Sequence, residues 1–258
     1  FLGRNMIWAI KEMSNHQLWI ASSNGISIYD KEADNFQQIL EKKRITSIYE
    51  TKKGVVLIGT TTGLLQLESN LNNDYQFKTI KNSENNYIND ILENKEGEVL
   101  LATQTKSVLE YNIKYKKVSS YFNESVLGSN NKNVRKLLLD DKGALWMGTY
   151  NGLQISKSKY NLIALYNNDA DDKSINDNFI KTLFKDNKGS IWVGTYYGGI
   201  NIWNSFNKNF ISITQKSSKE GLSFKVVSSI KNHKDHLYFG TEGGGITILN
   251  KKKNEVEY

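Results

Sequence analysis

A short phrase, apolar–aromatic–apolar–Gly–Thr, recurs down the chain and constrains everything else about it. It reads Leu145-Trp146-Met147-Gly148-Thr149, Ile191-Trp192-Val193-Gly194-Thr195 and Leu237-Tyr238-Phe239-Gly240-Thr241. Weaker copies are Leu18-Trp19-Ile20-Ala21-Ser22, Val56-Leu57-Ile58-Gly59-Thr60 and Leu100-Leu101-Ala102-Thr103. The small residue thus falls at Ala21, Gly59, Ala102, Gly148, Gly194 and Gly240, in steps of 38, 43, 46, 46 and 46 residues. Strand-like content at a fixed period of about 40–50 residues marks a propeller or a related array.

Each unit divides into four strands, here called A to D. In the clearest copy, Phe179 to Phe184 is apolar and reads as strand A. Asp186-Asn187-Lys188-Gly189 is a turn in which Asp and Asn bond their own backbone and Gly supplies a positive φ. Ser190 to Thr195 reads as strand B, and Tyr196-Tyr197-Gly198 as a second turn. Gly199 to Trp203 alternates and reads as strand C, and Phe210 to Thr214 as strand D. The other units follow the plan, with A–B turns at Gly54, Gly97 and Gly143. No segment has sustained helical periodicity. The expected fold is all-β, a propeller of six visible four-stranded antiparallel blades. Residues 1–258 read as one propeller domain or fragment, with blades near 5–42, 43–85, 86–131, 132–176, 177–222 and 223–258. The chain opens on Phe1 and reads as a piece cut from a longer protein.

Blades stack face on face, so a small residue in strand B lets neighbouring sheets approach while a large neighbour fills the gap between them. Gly148, Gly194 and Gly240 take the first role in this reading. Trp19, Trp146, Trp192 and Tyr238 take the second.

The phrase "apolar strand, Asp-x-x-Gly, Leu-Trp-x-Gly-Thr, x-x-Gly-Leu" resembles the two-component regulator propeller repeat, best over Val134 to Ile155 and Ile180 to Ile202. Lys173 to Phe179 is similar to that family's linker into strand A. Unit three departs from the pattern, with Ala102 and Lys106 at two glycine positions. The resemblance implies the extracytoplasmic, periplasmic sensor region of a hybrid two-component system. It also implies that the six blades are part of a larger, seven-bladed or multi-propeller array, with an oligosaccharide ligand, a neighbouring propeller or β-sandwich domain, a homodimer through the parent chain, and a membrane reached only through that parent. Such a domain passes a packing change to a membrane-linked module.

Composition limits the alternatives. With no Cys there is no disulfide, Cys-held metal or thiol nucleophile. A net charge of +7 comes from lysines scattered through turns, which reads as solvated loops and not as a nucleic-acid surface. His16, His233 and His236 fall in predicted A–B turns, a poor setting for a catalytic base. Asn167 to Asp172 has alternating oxygen ligands but lacks the sharp-turn Gly and distal Glu of a calcium loop, and reads as a connector. No phosphate loop, serine elbow or zinc helix is present. The chain is therefore expected to be no enzyme, with no catalytic residues, no metal and no cofactor. A protein-interaction scaffold and a propeller lyase or glycosidase are the rival readings.

Propeller geometry places the B–C turns and the D–A connectors on one side. That side gathers Asn24, Thr62, Tyr150, Asn151, Tyr196, Tyr197 and Glu242 with the longest connectors. Loops on a rigid scaffold carry binding residues, and Tyr combines a flat apolar ring with a hydrogen-bonding tip. Tyr150, Asn151, Tyr196, Tyr197 and Glu242 are the expected ligand contacts. The Tyr rings would form a shelf, and Glu242 would accept bonds from hydroxyls.

Overall fold

The computed structural model describes residues 6–71, 74–127, 132–166, 174–204, 210–215, 221–253 and 255–257. The Asn167 to Asp172 stretch lies outside them. The chain is an all-β protein of β-propeller class, with six four-stranded antiparallel sheets. It divides into two compact units, 1–122 and 123–258.

The first unit holds three blades. They are β1 (Ile7–Glu12), β2 (Leu18–Ser22), β3 (Gly25–Asp30) and β4 (Asn35–Ile39); β5 (Ile45–Glu50), β6 (Val56–Thr60), β7 (Gly63–Leu71) and β8 (Asp74–Thr79); and β9 (Ile88–Glu93), β10 (Val99–Thr103), β11 (Val108–Asn112) and β12 (Lys117–Ser120). The second unit opens on one turn of helix, α1 (Glu124–Leu127), which the sequence pattern did not signal. Its blades are β13 (Val134–Leu139), β14 (Leu145–Thr149), β15 (Leu153–Ser158) and β16 (Asn161–Leu165); β17 (Ile180–Lys185), β18 (Ile191–Thr195), β19 (Ile200–Trp203) and β20 (Phe210–Ile213); and β21 (Val227–His233), β22 (His236–Thr241), β23 (Ile246–Asn250) and β24 (Glu255–Glu257). In every blade the strands lie in chain order, as hairpin connections dictate.

Within each unit the A strand of one blade packs beside the A strand of the next, β1 on β5 on β9 and β13 on β17 on β21. The glycines of the B strands show why. A Cβ on Gly148 would stand 2.6 Å from Ile180 Cγ2 of the following blade. One on Gly194 would stand 2.7 Å from Thr182 Cγ2 and 3.0 Å from the Val227 carbonyl oxygen of the following blade. The large residue beside each glycine faces the same way. Trp146 packs with Ile180, Leu183 and Phe210, and Trp192 with Val227, Ile230 and Phe239. In the first unit Trp19 packs with Ile48, Val56 and Ile58. Trp19, Trp146 and Trp192 are buried, while Tyr238 is only half-buried. In the last blade the fully buried ring belongs to Phe239.

The A–B turns repeat one geometry. Asp186 N–H donates to the Ser190 carbonyl and Gly189 N–H to the Asp186 carbonyl, and the same pair recurs at Thr51, Asn94 and Asp140. The glycine that closes each turn has φ near +80°, from 78° at Gly54 to 83° at Gly97. Only Gly adopts this conformation without steric cost. In blade three the B–C turn holds Ser107 at φ 59° where blade five has Gly199 at 84°. The turn survives the missing glycine because Thr103 still bonds the Ser107 carbonyl through both its N–H and its hydroxyl.

Candidate functional site

Each A strand carries a bulge at its start, opposite the small residue–Thr or small residue–Ser step of strand B. In blade five Ile180 pairs with Thr195 and Thr182 with Gly194, so Lys181 is the extra residue. The same shift singles out Arg135 in blade four and Ser228 in blade six. In the first unit it singles out Trp8, Thr46 and Asn89. A bulged residue is released from the ladder and its side chain is re-aimed. In blades four and five the re-aimed side chains reach the B–C turns.

The turns and the connectors do share a side within each unit. Tyr196 N–H donates to the Phe179 carbonyl, Glu242 N–H to the Val226 carbonyl and Gly152 N–H to the Asn178 carbonyl. Asp177 ties the connector to the turn, because its carboxylate accepts from Phe179 N–H at 3.1 Å and Tyr197 N–H at 2.7 Å. In the first unit Asn24 Oδ1 accepts from Lys42 N–H, and the Thr62 carbonyl accepts from Asn85 N–H.

The rings of the second unit form a continuous run. Tyr150 meets Phe179 edge-on at 6.1 Å between centroids, Phe179 meets Tyr197 edge-on at 5.9 Å, and Tyr197 meets Tyr196 at 5.4 Å. Phe179 and Tyr197 are exposed and Tyr150 and Tyr196 half-buried. Cations border the run. The Arg135 guanidinium lies 4.6 Å from the Tyr150 ring centre and donates to the Tyr150 hydroxyl. Lys181 Nζ lies 4.8 Å from the Tyr196 ring centre, and Lys225 Nζ 5.4 Å from that of Tyr197. Lys181 also pairs with Glu242 Oε1 at 2.8 Å. Such an edge presents apolar ring surface, hydroxyl tips and positive charge together.

Five residues were anticipated on this side, and the structure places them there unequally. Tyr150, Tyr196 and Tyr197 belong to the ring run. Asn151 is exposed at its margin, its N–H held by Thr149 Oγ1. Glu242 is engaged by Lys181. Phe179, Arg135, Lys181 and Lys225 were not anticipated as site residues. Phe179 reads as the first residue of strand A, but the strand begins at Ile180 and Phe179 stays on the connector. One signal was available for two of them: Arg135 and Lys181 each precede the Gly-Thr-Tyr of their own blade.

The three histidines are at A–B turns. His16 sits in the β1–β2 turn, and His233 and His236 flank the β21–β22 turn. Among the described residues no group of three or more His, Cys, Asp or Glu is placed to hold a metal ion. No described helix is long and apolar enough to cross a membrane.

The chain shares its fold with solved structures. The extracellular domain of a hybrid two component system from B. thetaiotaomicron matches with a TM-score of 0.60 at 19% identity, over 94% of this chain and 39% of that one. The chain thus spans well under half the length of that domain. A streptogramin B lyase matches with a TM-score of 0.72 at 12% identity, over 97% of this chain and 81% of that one. The virginiamycin B lyase of Staphylococcus aureus matches with a TM-score of 0.70 at 14% identity, over 97% and 83%. No curated protein matches in sequence. The two-component regulator propeller family matches residues 128–151 and 174–197, which take in the Gly-Thr-Tyr turns of blades four and five. Two segments of the chain thus match the two-component regulator propeller repeat.

Proposed function

We propose that the chain is a sensor-type propeller that binds a ring-containing ligand, such as an oligosaccharide, on the Tyr150–Phe179–Tyr197–Tyr196 run. The observation that carries this reading is the run itself. Four rings in contact, two of them exposed, lie on the turn-and-connector side of blades that match the two-component regulator family. Exposed rings side by side lose water favourably when a flat partner covers them.

In this reading the domain stands outside the cytoplasm, in the periplasm, as the extracytoplasmic part of a membrane-anchored parent. Its partners are the ligand and a neighbouring propeller or β-sandwich domain of that parent, which also supplies any homodimer. The domain does no chemistry. Ligand capture favours one packing of neighbouring blades over another, and that difference in affinity drives the signal. The lyase fold matches supply the rival, an enzyme. It would need an acid or base at the rings, and there the described carboxylates are already engaged, Asp177 by backbone and Glu242 by Lys181.

The test is calorimetric titration of neutral and acidic oligosaccharides into the wild type and into the Tyr150→Ala/Tyr196→Ala/Tyr197→Ala variant. A saccharide that binds the wild type should lose at least about tenfold in affinity, since each ring contributes on the order of 0.5–1.5 kcal/mol beyond its area. Unchanged affinity for such a saccharide would sink the reading. Turnover of any of them would favour the enzyme.

A further inference from the structure

Blades four and five are built alike around their bulges, and the likeness exposes one missing group. In each, a cation at the bulge covers the Tyr of its own Gly-Thr-Tyr turn: Arg135 over Tyr150 at 4.6 Å and Lys181 over Tyr196 at 4.8 Å. The next blade then presents the residue that follows its own Gly-Thr. For Lys181 this is Glu242, which pairs with it at 2.8 Å and leaves the lysine side chain only 15% exposed. For Arg135 the equivalent residue is Tyr196, which carries no charge. Among the described residues no carboxylate stands within ion-pair distance of Arg135, and its one hydrogen-bond partner is the Tyr150 hydroxyl. A guanidinium has five N–H donors in a planar fork that suits a carboxylate. Half-buried, this one bears a desolvation cost that no charge among the described residues offsets. Lys225, over Tyr197, likewise has no carboxylate partner among the described residues. Asp177, the nearby carboxylate, is committed to the Phe179 and Tyr197 backbone.

We propose that Arg135 receives a ligand carboxylate in the place that Glu242 fills for Lys181, so that the molecule bound on the rings is a carboxylate-bearing ring such as a uronic-acid sugar. This rests on the reading that the ring run binds a ligand, and adds its charge. The carboxylate takes the Arg135 fork while the ring to which it is attached lies along Tyr150 and Phe179. Lys225 adds attraction from the other end of the run. Arg135 sets specificity and catalyses nothing.

The experiment titrates the chain with a uronic-acid disaccharide and with the same disaccharide after carboxyl reduction. Affinity is followed by calorimetry and the Arg135 Nε–Hε signal by NMR. The acid should bind the wild type at least about tenfold tighter than its reduced form, as expected of a charge-assisted bidentate pair. It should also move the Arg135 signal. Arg135→Gln should bring that preference below about twofold. Tyr196→Glu should do the same while keeping Arg135, by supplying the missing carboxylate from the protein. Equal binding of acid and reduced forms on the rings would overturn the carboxylate assignment and leave the sensor reading standing. If neither disaccharide binds, sodium acetate decides. A saturable shift of the Arg135 signal, abolished by Tyr196→Glu, upholds the anion position and removes the oligosaccharide reading. No shift removes both.

Discussion

Two side chains show how the repeat phrase is held at the residue scale. Asp186 accepts from Lys188 N–H and Ser190 N–H with one oxygen, each at 2.9 Å, and from Trp192 Nε1–H with the other, also at 2.9 Å. Asp140 repeats this with Lys142, Ala144 and Trp146. One carboxylate therefore sets the A–B turn and orients the tryptophan that fills the gap to the next blade. The turn role of Asp is legible in the sequence. The bond to the indole is not, because it depends on the hairpin bringing positions i and i+6 to the same end of the blade. Asp186→Ala should cost about 3 kcal/mol in urea unfolding, because bonds to a charged acceptor are lost and buried donors are left unmet. Thr51→Ala, where a hydroxyl accepts from Val55 N–H alone, should cost about 1 kcal/mol. Equal losses would show that the two further bonds of Asp186, the indole bond among them, contribute nothing. Gly194→Ala should destabilise by about 1–3 kcal/mol, because its Cβ would meet a backbone oxygen that cannot swing away.

The strands divide the work unevenly at the element scale. Strand B is buried along its whole length in blades two to five, whereas β16 is exposed or half-buried throughout. Amide hydrogen exchange should therefore be slowest in β14 and β18 and faster in β16, since local opening follows burial and neighbour support. Similar protection in all three would contradict this picture. The strands themselves are legible from alternation and from glycine-marked turns, usually to within one residue. The helical turn Glu124–Leu127 is not, because four residues leave no periodicity to read. The bulges are not legible either. An added residue looks like any other until its partner strand is aligned, so Arg135 and Lys181 pass as ordinary strand positions. Phe179 escapes notice for a related reason, as an apolar residue beside an apolar strand. The tyrosines are visible only because turns rarely carry so many.

Blades join into a unit through their faces and also through their rims. Glu50 of blade two accepts from Ser14 N–H and Oγ–H of blade one at 2.7 and 2.6 Å, and Glu93 of blade three accepts from Lys52 N–H at 2.8 Å. In the second unit Lys185 pairs with Asp141 at 2.5 Å. Tyr111 links blade three to blade two by donating to Gln66 Oε1 at 2.6 Å. Burial, helped by the charge of Glu68, pushes its hydroxyl up to about 12 from an ordinary value of 10. A folded pKa above the unfolded one gives stability that is complete below pH 10 and fades as pH rises towards 12. Wild type should lose roughly 2 kcal/mol more than Tyr111→Phe across that window in urea unfolding, and parallel pH profiles would refute the assignment. The six strand-A bulges have a different consequence. Each strand A holds one residue outside its ladder with strand B, where Trp, Thr, Asn, Arg, Lys and Ser all occur within one chain. That tolerance makes the position a natural place for diversification: a library randomised at the five half-buried ones, leaving buried Thr46 with its bond to the Ile88 carbonyl, would vary recognition chemistry blade by blade while the scaffold stays constant.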